Sequence, residues 1–138
     1  MKAVPDTMLW VSYCTLKNGY RHRLIERARK QRVRFYVSEY ILTELSDTLI
    51  EDLGRSRRYA SLARRAILRI AKLVDLPPSI QRHVPGDPKD DPIVETALLA
   101  KADCLITADR EILKLKKVRS VEIITASQFE AKLRPVDR

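Results

Sequence analysis

Acidic residues placed beside short apolar segments are the most chemically suggestive feature of this sequence. Asp6 and Asp109 each follow such a segment, and a further group precedes a helical segment and comprises Asp87, Asp90 and Asp91. In an open parallel sheet the carboxyl ends of the strands converge on one edge, where functional sites form. Carboxylates brought together there repel one another unless a divalent cation neutralises them. The spacing therefore predicts a metal site at that edge.

The predicted ion is Mg²⁺ or Mn²⁺, because oxygen-only ligands suit these hard cations. Neither His22 nor His83 has a partner at the spacing of a zinc site, and Cys14 and Cys104 form no CxxC pair. A metal-free alternative stays open, in which the two histidines act as base and acid on RNA. Cyclic-phosphate products and resistance to EDTA would indicate that chemistry.

The charge of the chain indicates what such a site would act on. Among 138 residues, 27 lysines and arginines outweigh 18 acids, for a net charge of +9, which favours a polyanion such as nucleic acid. The basic residues concentrate in segments 21–34 and 55–72, where Arg64, Arg65 and Arg69 form one candidate phosphate-binding surface. Three glycines are too few for a GxGxxG fingerprint or a P-loop, which excludes NAD-type enzymes and P-loop NTPases.

The elements that must position these acids follow an alternating pattern. Short apolar segments alternate with longer segments of helical period, as in a parallel sheet covered by helices on both faces. With 45% hydrophobic residues, the chain predicts a single domain over 1–138, a three-layer α/β/α fold with a short, mostly parallel central sheet. The predicted strands span 2–5, 33–37, 104–107 and 121–124.

Helical periodicity marks the segments between these strands. Apolar stripes predict one helix within 42–53 and another within 59–74. Prolines predict a long loop over 76–92, followed by a helix that has Pro92 in its first turn and runs to about residue 101. No apolar run is long enough to span a bilayer, so we expect a cytoplasmic protein without a membrane partner.

Several ordered motifs resemble one known family. In chain order they are AVPDTMLWVS around Asp6, SEYILTEL leading to Glu44, DPKDDPIVETAL around Asp90, LITADREIL around Asp109, and the closing IITASQFEAKL. Together they resemble the PIN-domain nucleases, especially the VapC-like toxins of bacterial and archaeal toxin-antitoxin systems. The resemblance covers nearly the whole chain.

This resemblance implies a shallow acidic pocket that holds Mg²⁺ or Mn²⁺ and activates water for RNA cleavage. The catalytic residues that it implies are Asp6, Glu44, Asp90 and Asp109. Asp6, Asp90 and Asp109 are the implied metal ligands, with Asp91 as the alternative to Asp90. Asp90 fits the family pattern better, since an apolar residue follows it three positions later and an alanine seven positions later.

The resemblance also implies the reaction and the partners. The reaction is hydrolysis of RNA phosphodiester bonds that leaves 5′-phosphate and 3′-hydroxyl ends, by the toxin of a type II toxin-antitoxin pair. The expected partners are an RNA substrate, a cognate antitoxin protein, and a second copy of the chain in a homodimer.

Two departures from the family pattern keep an alternative open. Met8 stands where the family has asparagine, and Pro5 replaces an aliphatic strand residue, so Pro5 must lie at the end of its strand or on an unpaired side. The loss of the asparagine favours, as the alternative, a catalytically weak PIN-fold module that binds RNA or regulates. A phosphoryl-accepting receiver or a phosphatase ranks last, because the phosphatase would need an aspartate at Met8.

Each acid has an ordinary structural explanation as well: Asp90 and Asp91 could be a helix cap and a loop carboxylate beside Pro92, and Asp109 could cap the next turn. Asp6 could cap a helix that begins near Thr7, as aspartate often does. Glu44 forms a stripe with Asp47 and Glu51 that is typical of a solvated helix face, so only the family resemblance distinguishes it.

Overall fold

A computed structural model describes residues 1–135, and within that range the chain forms one six-stranded sheet flanked by helices. The strands are β1 (Lys2–Pro5), β2 (Arg34–Ser38), β3 (Ala71–Val74), β4 (Cys104–Ile106), β5 (Lys117–Val118) and β6 (Val121–Ile124). Their order across the sheet is β3-β2-β1-β4-β6-β5, and every pairing is parallel except that of β5 with β6. The predicted fold class, a mostly parallel α/β/α sheet, is confirmed.

Seven α-helices connect and cover these strands within the described residues. They are α1 (Thr7–Thr15), α2 (Tyr20–Lys30), α3 (Glu39–Asp47), α4 (Arg57–Leu68), α5 (Asp91–Leu99), α6 (Arg110–Leu113) and α7 (Ala126–Glu130). A π-helical turn over Thr48–Asp52 continues α3, and a 3₁₀ turn over Pro88–Asp90 leads into α5. The proline-rich loop predicted over 76–92 is therefore confirmed up to that turn.

The centre of the sheet fixes where the acidic residues emerge. In β1, Pro5 pairs with Ile106 of β4, and the next residue, Asp6, donates its backbone N–H to the Ile106 carbonyl at 2.9 Å. Pro5 is the last residue of β1, as predicted from its missing donor. The carboxyl ends of β1 and β4 are thus adjacent, and Asp6 and Asp109 leave the sheet on the same edge.

The prediction of a helix within 59–74 was wrong at its C-terminal end. A single helix was predicted through residue 74, but α4 ends at Leu68, and β3 follows and pairs with β2 through Phe35 and Ala71. Ile70 and Val74 keep a helical spacing of four, so periodicity does not reveal the change. Pairing with the exposed edge of β2 decides the conformation, an instance of tertiary context overriding local pattern.

The other predicted strands agree closely with the structure. Strands β1 and β6 have the predicted bounds, whereas β2 is shifted by one residue at both ends and β4 ends one residue earlier than predicted. Strand β5 was not predicted, because two residues are too short to show a period of two.

The core lies against both faces of this sheet and combines aliphatic with aromatic side chains. Trp10, Phe35 and Phe129 are fully buried, and Trp10 meets Phe35 edge to face with ring centroids 5.9 Å apart. None of the helices in residues 1–135 is both long and apolar enough to cross a membrane.

Candidate metal and active site

Four carboxylates that the sequence singled out line one cleft at the carboxyl edge of the sheet. The cleft has a volume of about 360 Å³, and its walls include Asp6, Glu44, Asp90 and Asp109. We call it the acidic cleft. The topology therefore brings together side chains from four separate chain segments, whereas Asp91 does not line the cleft.

Asp6 is held rigidly at the start of α1. Its Oδ1 accepts from the Leu9 N–H at 2.9 Å, and its Oδ2 accepts from the Thr107 hydroxyl at 2.6 Å. Burial raises the pKa of Asp6, against the opposing effects of these two hydrogen bonds and the nearby Arg21 charge. Asp6 thus caps the helix and also lines the cleft, and each carboxylate oxygen retains a lone pair for a further partner.

Asp109 comes from the turn after β4 and shares the same threonine. Its backbone N–H donates to the Thr107 hydroxyl at 3.0 Å, while its Oδ1 caps α6 by accepting from Glu111 and Ile112 N–H groups at 2.8 and 3.1 Å. Because Thr107 donates to Asp6 as well, one hydroxyl fixes the positions of two cleft acids. The exposed side chain of Asp109 faces solvent across the cleft.

Glu44 reaches the cleft from α3. Its Oε1 accepts from the Thr7 hydroxyl at 2.7 Å, a contact across 37 residues of sequence. Burial, together with the charge of Asp6, raises the pKa of Glu44. Glu44 is half-buried while Asp47 and Glu51 are exposed, so the acidic stripe is a solvated face except at this residue.

Asp90 has the least satisfied carboxylate in the cleft. Its side chain is buried, and no hydrogen-bond partner within residues 1–135 reaches its Oδ2. Burial and the charges of Asp109, Asp87 and Glu44 raise the pKa of Asp90 to about 7. A buried carboxylate oxygen without a partner is a costly feature that native structures rarely leave unexplained.

Asp91, the alternative ligand, has its oxygens occupied elsewhere. Its Oδ1 accepts from the N–H groups of His83 and Val84, both at 2.8 Å, and its Oδ2 lies 3.0 Å from Arg82 Nε. Burial alone would raise the pKa of Asp91, but these donors and the arginine charge outweigh burial and lower the pKa. This carboxylate fastens the proline-rich loop to α5.

The donor chemistry of the acidic cleft fits a hard divalent cation. All four side chains offer carboxylate oxygens, Asp90 Oδ2 is buried without a partner, and the acids raise one another's pKa values. Within residues 1–135 no three such side chains already stand close enough to coordinate one ion. Binding of an ion would therefore require these side chains to move closer together.

Two contacts of the site, made by Thr7 and Tyr40, were not recognised in the sequence, whereas Asp87 was. Thr7 orients Glu44, and Asp87 lies close enough to Asp90 to raise its pKa. Tyr40 donates to the Lys89 carbonyl at 2.7 Å and so fastens α3 to the 3₁₀ turn that carries Asp90. Asp87 was visible as part of an acidic cluster, but the two contacts across α3 had no signal in the sequence.

The other predicted functional residues lie away from the acidic cleft. His22 stacks on Tyr13 with centroids 4.5 Å apart, and His83 Nε2 lies 2.5 Å from Glu95 Oε1, so neither histidine lines the cleft. On the basic surface of α4, Arg64 pairs with Glu39 at 2.7 Å, which neutralises part of that surface.

Comparisons with known proteins agree with this architecture. Residues 2–111 match the family model described as PIN domain. A chain in the crystal structure of VapBC2 from Rickettsia felis, bound to a DNA fragment from their promoter, superposes with a TM-score of 0.64 at 15% identity. The superposition covers 91% of this chain and 98% of that chain. No curated protein sequence matches significantly.

Proposed function

This chain belongs to the PIN-domain family, a family of nucleases, and on that premise we propose that it is a metal-dependent endoribonuclease. The observation that carries the proposal is the buried Asp90 oxygen without a partner in a cleft of four carboxylates. Such an arrangement is unfavourable in an inert surface and is useful where a cation binds.

Asp6, Asp90 and Asp109 would hold Mg²⁺ or Mn²⁺. A bound ion of this kind lowers the pKa of water and offsets the charge on a phosphodiester. The Thr107 hydroxyl bonds Asp6 Oδ2 and the Asp109 backbone N–H, so it holds these two acids beside each other before an ion binds. Asp91 has no part in the site, because its oxygens already serve the loop.

Glu44 is suited to proton transfer. Its raised pKa and the hydrogen bond from Thr7 hold a carboxylate at the edge of the cleft that can accept the proton of an attacking water. The water oxygen attacks phosphorus, the bond from phosphorus to the 3′ oxygen breaks, and that oxygen takes up a proton. The products are a 5′-phosphate and a 3′-hydroxyl.

The substrate proposed is RNA in single strands or loops. The net charge of +9 favours a polyanion, and A-form duplex exposes its bases and backbone to a compact cleft less than a loop does. As a toxin of a type II pair in the cytoplasm, the chain would bind a cognate antitoxin and form a homodimer. The Rickettsia felis complex supports this proposal only through its similar fold.

Cleavage of a purified structured RNA tests the proposed function. We expect cleavage with Mg²⁺ or Mn²⁺, none after EDTA treatment, and recovery when the ion is restored. The Asp6→Asn protein, purified in parallel, controls for contaminating nucleases. Full activity in EDTA, or equal activity of the Asp6→Asn protein, would refute the metal mechanism.

One observation favours a second candidate function, a weakly active RNA-binding or regulatory module. Met8 lines the acidic cleft with 52% of its surface exposed, so a thioether stands where the family has an asparagine amide. Metal-dependent RNA binding without turnover would support this candidate. Restored or increased turnover in Met8→Asn would show that the missing amide limits the chemistry.

A further inference from the structure

A second pocket opens beside the acidic cleft on the other side of Asp6. Its volume is about 240 Å³, and Asp6, Met8 and Ala108 line both spaces. We call it the side pocket and define it by Met8, Tyr20, Arg21, Ala108, Thr125 and Ser127. Small-molecule sites usually measure about 300–1,000 Å³, so this volume fits one part of a longer ligand that also enters the acidic cleft.

The side pocket has an exposed apolar wall. Met8 and Tyr20 expose 52% and 43% of their surfaces, and Leu9 and Ile106 form the buried floor. The Tyr20 hydroxyl lies at the outer end of the ring, where it donates to Glu130 at 3.0 Å. An aromatic ring and a polarisable thioether that line one pocket form a surface on which a flat ring can stack.

The turn at Gly19 determines where Tyr20 lies. Gly19 precedes α2, and a Cβ at that position would come within 2.9 Å of the Leu16 carbonyl oxygen. The tight turn between α1 and α2 therefore favours glycine at position 19. Tyr20 follows this turn as the first residue of α2. The position of the ring follows from the backbone rather than from a flexible loop.

Arg21 gives this pocket a charge opposite to that of the acidic cleft. Its charge lowers the pKa of Asp6, and its Nη1 donates to the Ser12 hydroxyl at 3.1 Å. No carboxylate within residues 1–135 pairs with it, in contrast to Arg27 and Arg29 on the same helix. A cation without such a pair beside a site for phosphodiesters is placed to bind a neighbouring phosphate.

Resting on the proposed function, we propose that the side pocket binds the nucleotide next to the scissile phosphate of single-stranded RNA. The base stacks between Tyr20 and Met8, and Arg21 binds the adjacent phosphate. The exposed hydroxyl of Ser127 lies at the rim, where it can meet the edge of the base. Stacking of this kind tolerates different bases, so the pocket favours unpaired RNA more than it reads a sequence.

Binding measured in EDTA tests the pocket without cleavage. The probes are a fluorescein-labelled adenosine decamer RNA and the same backbone lacking its bases, followed by fluorescence anisotropy. Tyr20→Leu should weaken binding of the decamer by roughly 5-fold to 30-fold. It should leave binding of the abasic backbone unchanged. Tyr20→Phe, which keeps the ring and loses the hydroxyl, should bind the decamer like the unmodified protein.

Arg21 has a matched control two residues later. Arg21→Gln should weaken binding of both probes. It should also reduce the slope of affinity against salt concentration by about one phosphate contact. Arg23→Gln should do neither, because Arg23 Nη1 donates to the Asn18 carbonyl and does not line the side pocket.

Two outcomes would overturn the subsite. One is decamer binding by Tyr20→Leu equal to that of the unmodified protein, which would leave the pocket to a protein partner. The other is equal weakening of the two probes in Tyr20→Leu. Cleavage is measured separately with Mg²⁺. Absence of cleavage together with base binding that depends on Tyr20 would refute the nuclease function and support the subsite.

Discussion

Two neighbouring aspartates occupy opposite environments at the start of α5. Asp90 Oδ2 is buried without a partner, and burial with neighbouring acids raises the pKa of Asp90 to about 7. Asp91 is buried even more completely, yet its pKa is lowered because donors surround it. Burial is common to both residues, so the difference lies in whether the fold supplies partners.

Asp91 belongs to a region in which every charge has a partner. We call it the loop anchor and define it by Arg82, His83, Asp91 and Glu95. Both side chains of the His83–Glu95 pair are nearly buried, and the two atoms that meet are 2.5 Å apart. In the acidic cleft, by contrast, like charges face one another. The loop anchor stabilises the fold, while the acidic cleft keeps an unfavourable arrangement that a ligand can relieve.

Activity should show the largest difference between the two aspartates. Asp90→Asn should lower the rate of RNA cleavage by at least about 100-fold, because it removes a proposed metal ligand. Asp91→Asn should leave the rate per folded molecule nearly unchanged. Initial rates at saturating Mg²⁺ on one RNA measure both. A larger loss in Asp91→Asn would transfer the ligand role to Asp91.

Stability should show the reverse ranking. Asp91→Ala leaves two backbone N–H groups of the loop without an acceptor, so we expect the free energy of unfolding to fall by about 2–4 kcal/mol. The Asp90 side chain makes no hydrogen bond within residues 1–135. Asp90→Ala should therefore leave the free energy of unfolding nearly unchanged, or raise it, in the absence of metal. Urea titration at pH 7 in EDTA compares them. Equal losses would mean that the two environments are energetically alike.

Sequence patterns reached much of this arrangement. The bounds of β1 and β6, the proline-rich loop, and the convergence of Asp6 and Asp109 with the acidic group at 87–91 followed from apolar runs and the topology of parallel sheets. Those features depend on short-range pattern and on one topological rule, which a sequence displays directly.

The difference between Asp90 and Asp91 had only an indirect signal. The spacing of the family motif favoured Asp90, but the physical reason lies in donors seven to nine residues earlier, in a loop without periodicity. Contacts such as that of Thr7 with Glu44 and the edge strand β3 likewise depend on the assembled sheet. Local pattern carries no information about which distant groups become neighbours.

The pH dependence of stability should distinguish the acidic cleft from the loop anchor. A folded pKa above the unfolded value of about 4 means that the folded state binds more protons, so stability falls as pH rises from about 4 to 7. Asp90, Asp6 and Glu44 all have raised pKa values, so each contributes to this change in the same direction.

Asp90→Asn should remove much of that decline in metal-free protein. A pKa difference of one corresponds to about 1.4 kcal/mol, and solvent in the open cleft screens the repulsion, so we expect a gain of about 1–2 kcal/mol at pH 8 and little at pH 4.5. Urea titrations across pH measure it. If the free energy of unfolding of Asp90→Asn falls with pH as steeply as that of the unmodified protein, other groups cause the decline.

Addition of Mn²⁺ should have the smallest effect on stability. It tests most directly whether the acidic cleft is a cation site. An ion that binds only the folded state at ten times its Kd adds about 1.4 kcal/mol, which raises Tm by roughly 3–5 °C in a domain of this size. The carboxylates must lose their protons first, so the rise should be larger at pH 8 than at pH 5. Asp90→Asn should reduce the rise and Asp91→Asn should keep it, since Asp90 Oδ2 is buried in the cleft without a partner within residues 1–135 and Asp91 does not line the cleft. If Mn²⁺ does not change the Tm of the unmodified protein, the acidic cleft does not bind this cation, and the weakly active module is favoured.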